Sequence, residues 1–378
     1  MKKLSVCILV KNEERTIKDC LDSIKDVADE ILVVDNGSTD ATIQILRTYN
    51  CKIIDGSGLL LDDARKLYIK KAIYDWILII DADERLEKSH QEELRKIINR
   101  TNENVWGIEL QSYQYTGLGN WSEITALRLV RNKKCIKYNK SAIHASLSPS
   151  ILDNGGDIIV SDITLHHIDI LLPERTQGKR KRYKELLKQT LSNGEMDIDY
   201  NMYYLYKCFL ALEYVAEANY YKAEKLYLEA INQPFRFQNF AIALLCQLYI
   251  ITNQYNKIGD YVKEEYMDEL IITNVLGNYY VYLDFLKALE YYKEQIEINP
   301  RKVSNYINLA FLEYKNGNVS EAINLVEIAF SMNSYLAKKV IYLSGEKPNI
   351  YDVQNSILFS IGNVYSFIEL LGLDDKII

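Results

Sequence analysis

The 378-residue chain has no surplus of positive charge: its formal net charge is −7. That argues against a general nucleic-acid binder, whose phosphate contacts need a basic surface. No apolar run approaches the ~18 residues of a membrane span, so none is expected. No charged segment followed by an apolar stretch opens the chain, and a cytoplasmic protein is the expectation. The six cysteines, Cys7, Cys20, Cys51, Cys135, Cys208 and Cys246, are scattered and form no CxxC pair. Free thiols are expected rather than a disulfide framework or a thiolate metal site. Histidine is scarce at four, and five prolines stand against thirty tyrosines, most of which crowd the second half. The first strand candidate, KLSVCILV (3–10), is not followed by GxGxxG, which counts against a dinucleotide-dependent dehydrogenase.

What is present falls into two grammars. In the first half strand and helix signals alternate. The strand candidates are KLSVCILV, EILVVD (30–35), CKIID (51–55) and WILIID (76–81). Between them ERTIKDCLDSI (14–24), ATIQILRTY (41–49) and DDARKLYIKKAI (62–73) carry helical spacing. This alternation predicts a parallel sheet covered on both faces, with ligands bound beyond the carboxyl ends of the strands. Lys11, Asn12, Glu13, Asp35, Asn36, Asp81 and Asp83 stand at those ends and should share one crevice.

From about residue 203 the pattern is helical, with Tyr, Leu and Ala at recurring positions. YKAEKLYLEAI (221–231), KALEYYKEQIEINP (287–300) and SEAINLVEIAF (320–330) read as copies of one element. Ala288 and Ala322 are 34 positions apart, the period of a tetratricopeptide repeat. A further copy near NQYNKIGDYV (253–262) is degenerate, and a generic helical bundle is the plainer alternative. SILFSIGNVYSFIELLG (356–372) reads as an amphipathic helix capping the last repeat. The expected boundaries are 1–200 for the α/β domain, 201–336 for the repeats and 337–378 for the cap.

Two stretches carry chemistry. VVDNGSTDAT (33–42) places Asp35 at a strand end, before a glycine turn and a Ser/Thr helix start. There a carboxylate can accept from a nucleobase or ribose. WILIIDADERL (76–86) runs a buried strand into Asp81, Asp83 and Glu84. Carboxylates crowded after an apolar run are costly unless something neutralises them. Mg²⁺ or Mn²⁺ takes oxygen ligands from one or two carboxylates plus substrate phosphates, and small Ala82 lets a bulky anion approach. An acid-rich helix start is the plainer reading of the same letters.

CILVKNEERTIKDCLDSI, DEILVVDNGSTDAT, DDARK, DWILIIDADERL, RLVRN (128–132), the His144 segment and LHH (165–167), in this order, resemble the inverting family 2 glycosyltransferases of the GT-A fold. The match covers about residues 3–170. Similar proteins with helical-repeat tails include the S-glycosyltransferases of glycocin bacteriocin peptides; lipopolysaccharide-core and cell-wall transferases share the front half. The resemblance implies a Rossmann-like, mostly parallel α/β domain followed by an all-α tetratricopeptide-like domain. It also implies a UDP-sugar donor with Mg²⁺ or Mn²⁺. Val10 and Glu13 would lie at the uracil and ribose, Asp35 at the base and Arg65 at the nucleotide. Asp81 and Ala82 would meet the nucleotide, and Asp83 the metal. The sequence departs from the family pattern at Lys66, at Ala145 after His144, and at Ile168 and Asp169 after His166. His166 is assigned to the metal shell, with His167 as the alternative of the pair.

An inverting transfer needs a base. Glu123, the only acid of the aromatic, glycine-rich YTGLGNWSEITALRL (115–129), is the candidate, with Glu109 behind it. The leading expectation is transfer to a Ser, Thr or Cys side chain of a peptide or protein held by the repeat groove. A cell-envelope saccharide transferase and an inactive repeat scaffold are the alternatives, and a homodimer is among the states left open.

Overall fold

The computed structural model describes residues 1–59, 61–139, 145–168, 173–192, 198–262, 270–343 and 355–378. The chain divides into two compact units. One comprises 1–114 and 124–171; the other comprises 115–123 and 172–378. The division falls nearer residue 171 than the expected 200, and the short stretch 115–123 goes with the helices.

In the first unit the alternating half folds as expected. β1 (Leu4–Val10), α1 (Ile17–Ile24), β2 (Glu30–Asp35), α2 (Thr42–Leu46), β3 (Lys52–Asp55), α3 (Leu61–Lys71) and β4 (Trp76–Ile79) follow in order. β1 pairs in parallel with both β2 and β4, and β2 with β3. Apolar residues on both faces of β1 explain its central place. Leu4, Val6, Ile8 and Val10 join Ile17, Cys20, Leu21 and Ile24 of α1 in one core, while Cys7 joins Ala64, Tyr68 and Ala72 of α3 in another.

Beyond β4 come β5 (Glu84–Leu86), α4 (Gln91–Arg100), β6 (Val105–Gly117), β7 (Asn120–Arg131), α5 (Ser148–Asp153) and β8 (Asp157–His167). They extend the sheet to eight strands in the order β3-β2-β1-β4-β7-β6-β8-β5. β7 runs antiparallel to β4, β8 parallel to β6, and β5 antiparallel to β8. The sheet is thus parallel in one half and mixed in the other. The two-residue turn between β6 and β7 uses Leu118 and Gly119, both at positive φ (54° and 77°), the turn geometry that matches strand twist.

The second unit is all-α, and its elements pair as helical repeats. It comprises α6 (Pro173–Ser192), α7 (Tyr200–Ala216), α8 (Tyr220–Ile231), α9 (Gln238–Ile251), α10 (Leu270–Leu283), α11 (Phe285–Ile298), α12 (Val303–Lys315), α13 (Val319–Met332) and α14 (Val364–Leu370). Ala223, Tyr227 and Ala230 of α8, and Ala322, Val326 and Ala329 of α13, are buried at matching positions. α9 is followed by a 3-10 segment, Tyr255–Asp260, where the sequence copy was degenerate.

The expected capping helix over 356–372 does not form. Only Val364–Leu370 is helical, started by Asn363 accepting from Ser366 N after Gly362 at φ +68°. The residues before it lie along α10 and α12, clamped through their main chain. Asn308 Nδ2 donates to Ser356 O (3.0 Å), and its Oδ1 accepts from Leu358 N (2.8 Å). Asn274 Nδ2 donates to Ile357 O (3.3 Å), and Asn278 Oδ1 accepts from Phe359 N (2.9 Å). A helix would need the same main-chain groups, so the asparagines win them for an extended conformation.

Candidate active site

Parallel pairing with Val10 opposite Asp35, and Asp35 opposite Asp55, brings three strand ends to one edge of the first unit. Two loops there are stitched together. Asn12, at φ +58°, accepts from Thr39 N at 2.7 Å and donates its own N–H to Ser38 Oγ at 3.0 Å. Ser38 N donates to both Asp35 oxygens, at 3.1 and 3.3 Å, across Gly37 at φ +81°. Asp35 therefore stands half-buried at the β2 end in a fixed pose. Glu13 differs from expectation. It is 6% exposed, and its carboxylate accepts from Thr16 Oγ1 at 2.8 Å while its N–H donates to Thr42 Oγ1 at 2.7 Å. That makes it a brace of the loop after β1. Val10 and Ala82 are likewise buried, so only their main chain is suited to meet a ligand.

The acid cluster after β4 is resolved by partners the sequence held far away. Arg128, delivered by the antiparallel β7, donates through Nη2 to Asp81 Oδ2 (3.2 Å) and to Glu84 Oε1. Glu84 Oε2 accepts from Asp81 N at 2.9 Å. Burial works to raise the Asp81 carboxyl, but the charge of Arg128, helped by Arg65 and His167, sets it below the usual range. Glu84 is fully buried, and burial pushes it up to about 7 against the pull of Arg128. Arg65 of α3 is thus within electrostatic reach of Asp81.

Asp83 meets a histidine, and it is His167. His167 Nε2 lies 3.3 Å from Asp83 Oδ2, with the two side chains 12% and 7% exposed. The assignment of His166 to a metal shell is corrected by strand parity: neighbouring residues of β8 face opposite sides of the sheet. His166 stands in register with Arg85 and Tyr113, His167 with Glu84 and Gln114. His166 is fully buried, bonds Glu87 Oε2 at 3.0 Å and packs 5.7 Å from the Tyr113 ring. Burial lowers its pKa, which favours the neutral ring despite Glu87.

Glu123 is corrected as well. It lies within the helical unit, 2% exposed, accepting from Trp121 Nε1 and Ser304 N, both at 3.0 Å, while its own N–H donates to Ser356 Oγ. A carboxylate so enclosed is a structural acceptor, not a base open to an acceptor substrate. Trp121 and Tyr115 are buried beside it, and the Tyr115 hydroxyl bonds Asn333. Glu109, on β6, accepts from Thr125 Oγ1 at 3.1 Å. His144 lies outside the described residues.

Among the described residues no three His, Cys, Asp or Glu side chains converge as a ready cation cage. None of their helices is long and apolar enough to cross a membrane. The six cysteines are free.

The strand ends that carry Asp35, Asp81 and Asp83 belong to a glycosyltransferase domain, as the similarity of this stretch to known glycosyltransferases shows. Residues 5–154 match the family model described as "Glycosyl transferase family 2". The chain is 29% identical over 245 residues to an uncharacterized glycosyltransferase of Rickettsia typhi, covering 64% of this chain and 73% of that one. It is 27% identical over 206 residues to the lipopolysaccharide core biosynthesis glycosyltransferase LpsC of Rhizobium meliloti, covering 51% and 73%. It is also 36% identical over 93 residues to the glycosyltransferase SunS of Bacillus subtilis, covering 24% and 22%. Of the further rickettsial glycosyltransferases it matches, the chain spans about a third of the length.

Proposed function

We propose that the first unit transfers a sugar from a UDP-sugar with inversion, at the edge formed by Asp35, Asp81, Asp83 and His167. The observation that carries this reading is the Asp83–His167 pair, set beside an Asp81 already neutralised by Arg128. A divalent cation fits it: one carboxylate and one imidazole suit Mn²⁺ or Mg²⁺, and diphosphate oxygens supply the remaining positions. The chemistry such an ion supplies is neutralisation of charge on the departing diphosphate. The chain's own groups do the rest. Asp35, held by Ser38 N, accepts from the base; Asp81 accepts from the nucleotide, and Arg65 adds positive charge beside it. The main chain at Val10 and Ala82 lets the donor lie close.

The acceptor reading shifts from the one the sequence suggested. The asparagine-bearing faces of α10 and α12 hold residues 355–359 of the chain itself, so those two faces are not open to a peptide. Similarity to LpsC over most of that relative's length favours a cell-envelope saccharide acceptor. A peptide side chain is the second reading, favoured by the shorter match to SunS. The test is a panel of UDP-sugars with Mn²⁺, read by thermal shift and by slow donor hydrolysis. One donor should raise Tm and be hydrolysed only with the metal. Absence of binding across the panel, with or without metal, overturns the donor reading.

A further inference from the structure

We propose that Arg128 is a positioning residue that divides labour between the two aspartates, fixing Asp81 for the nucleotide and leaving Asp83 to the cation. The inference rests on the donor-site reading above and goes beyond it by naming what holds Asp81 in place. Asp81 is gripped twice by one pair of side chains. Arg128 Nη2 holds its Oδ2 at 3.2 Å, and Glu84, itself bonded to the same Nη2, accepts from its N–H at 2.9 Å. Glu84 has no exposed surface, so the grip is anchored in the core. Arg128 reaches this position because β7 is antiparallel to β4: Leu129 pairs with Leu78, which puts Arg128 beside the end of β4, where the chain turns into Asp81. The Asp81 side chain is still 38% exposed, so a carboxylate pinned by one oxygen keeps surface for a donor hydroxyl. With Oδ2 turned to a guanidinium, Asp81 is poorly placed to ligate a cation. Asp83, two residues on, has the His167 ring nitrogen 3.3 Å from its Oδ2 and lies outside the Arg128–Glu84 grip. Charge-assisted hydrogen bonds of this kind are the strong ones, so their loss should be read easily.

The experiment measures UDP affinity calorimetrically, with and without saturating Mn²⁺, for the full chain and for Arg128→Gln, Asp81→Asn and the double variant. Arg128→Gln should weaken UDP by about tenfold or more, the scale of one charge-assisted hydrogen bond. The Mn²⁺ concentration for half-maximal effect should stay within about twofold. If Arg128 acts through Asp81, the double variant should bind UDP no more than about twofold worse than Arg128→Gln alone. A merely structural arginine would not give that non-additivity. Should Arg128→Gln fail to fold, Arg128→Lys keeps the buried charge, loses the planar fork and is read in the same cycle by the same criteria. Undiminished UDP affinity in a folded Arg128 variant, or additive losses, overturns the proposal while leaving the donor reading intact. A wild-type chain that binds no UDP overturns both.

Discussion

In the α/β unit the buried and half-buried polar side chains directly after β4 are acids, Asp81, Asp83 and Glu84, answered by Arg128, His167 and Arg65. In the helical unit Asn274, Asn278, Asn305, Asn308 and Asn333 are buried amides, and three of them clamp the main chain of 355–359. A neutral amide both donates and accepts, so it satisfies a peptide group at small desolvation cost. Crowded charges are costly to bury and answer one another incompletely. The first arrangement suits a site that must still receive a charged ligand; the second suits a fold that is finished.

The sharpest way to break this contrast is Asp83→Ala. It should cut donor turnover on the order of 10²–10³-fold, as removal of one preorganised contact does, with Tm unchanged or raised as a repulsive charge leaves. Wild-type turnover at saturating donor would remove Asp83 from the site. The adjacent histidines sharpen the point within one strand. His167→Ala should lose most metal-stimulated hydrolysis, roughly 100-fold by the same reasoning, at little cost in stability. His166→Ala should instead lower stability by about 2 kcal/mol, by removing a fully buried ring and its bond to Glu87, read by denaturant unfolding. If both variants behaved alike in both assays, strand parity would not be what separates them.

Asn308→Ala tests the other side. It strands Ser356 O and Leu358 N together, so a loss of about 2–4 kcal/mol is expected, with UDP affinity untouched. Asp35→Asn should be milder, raising the donor KM about tenfold with kcat preserved, on the scale of one modest hydrogen bond. A fall in kcat at constant KM would move Asp35 out of the nucleotide pocket.

The smallest effect concerns pH. Burial pushes Glu84 in one unit and Glu213 in the other up to about 7. A carboxyl whose folded pKa is raised holds its proton more tightly when folded. Its stabilisation is therefore full below the unfolded pKa of ~4.3 and lost as pH rises through about 7. Glu84→Gln and Glu213→Gln should each flatten the fall of Tm between about pH 5 and 8.

How much could be read in advance follows the range of the forces involved. β1 to β4 and the helices between them were legible because periodicity is local; EILVVD was read to the residue as β2. Asp35 and the Asp81–Asp83 pair were legible because a strand end followed by an acid is a local pattern. β5 to β8 were not read. β6 mixes buried and half-buried residues on both faces and slips register between Leu110 and Gln111, which blurs the alternation. Choosing His166 over His167 needed the phase of β8 relative to β5, a tertiary fact. Arg128 is 47 positions from Asp81, and Glu123 is 181 from Ser304. The amphipathic pattern at 356–372 was real, but Asn308 and Asn278 offered its main chain a better partner than its own helix.

That clamp also sets a timetable for synthesis. The Trp121–Glu123 strand bonds Ser356, with Glu123 and Ser356 233 positions apart, and Asn120 bonds Gly362 across 242. At a synthesis rate of ~5–20 residues per second, the hairpin tip leaves the ribosome roughly 10–50 s before those partners exist. During that interval Trp121 and Glu123 have no Ser356 beside them, and for its first 181 positions Glu123 has no Ser304 either. The nascent chain therefore carries an uncovered aromatic tip for most of its elongation.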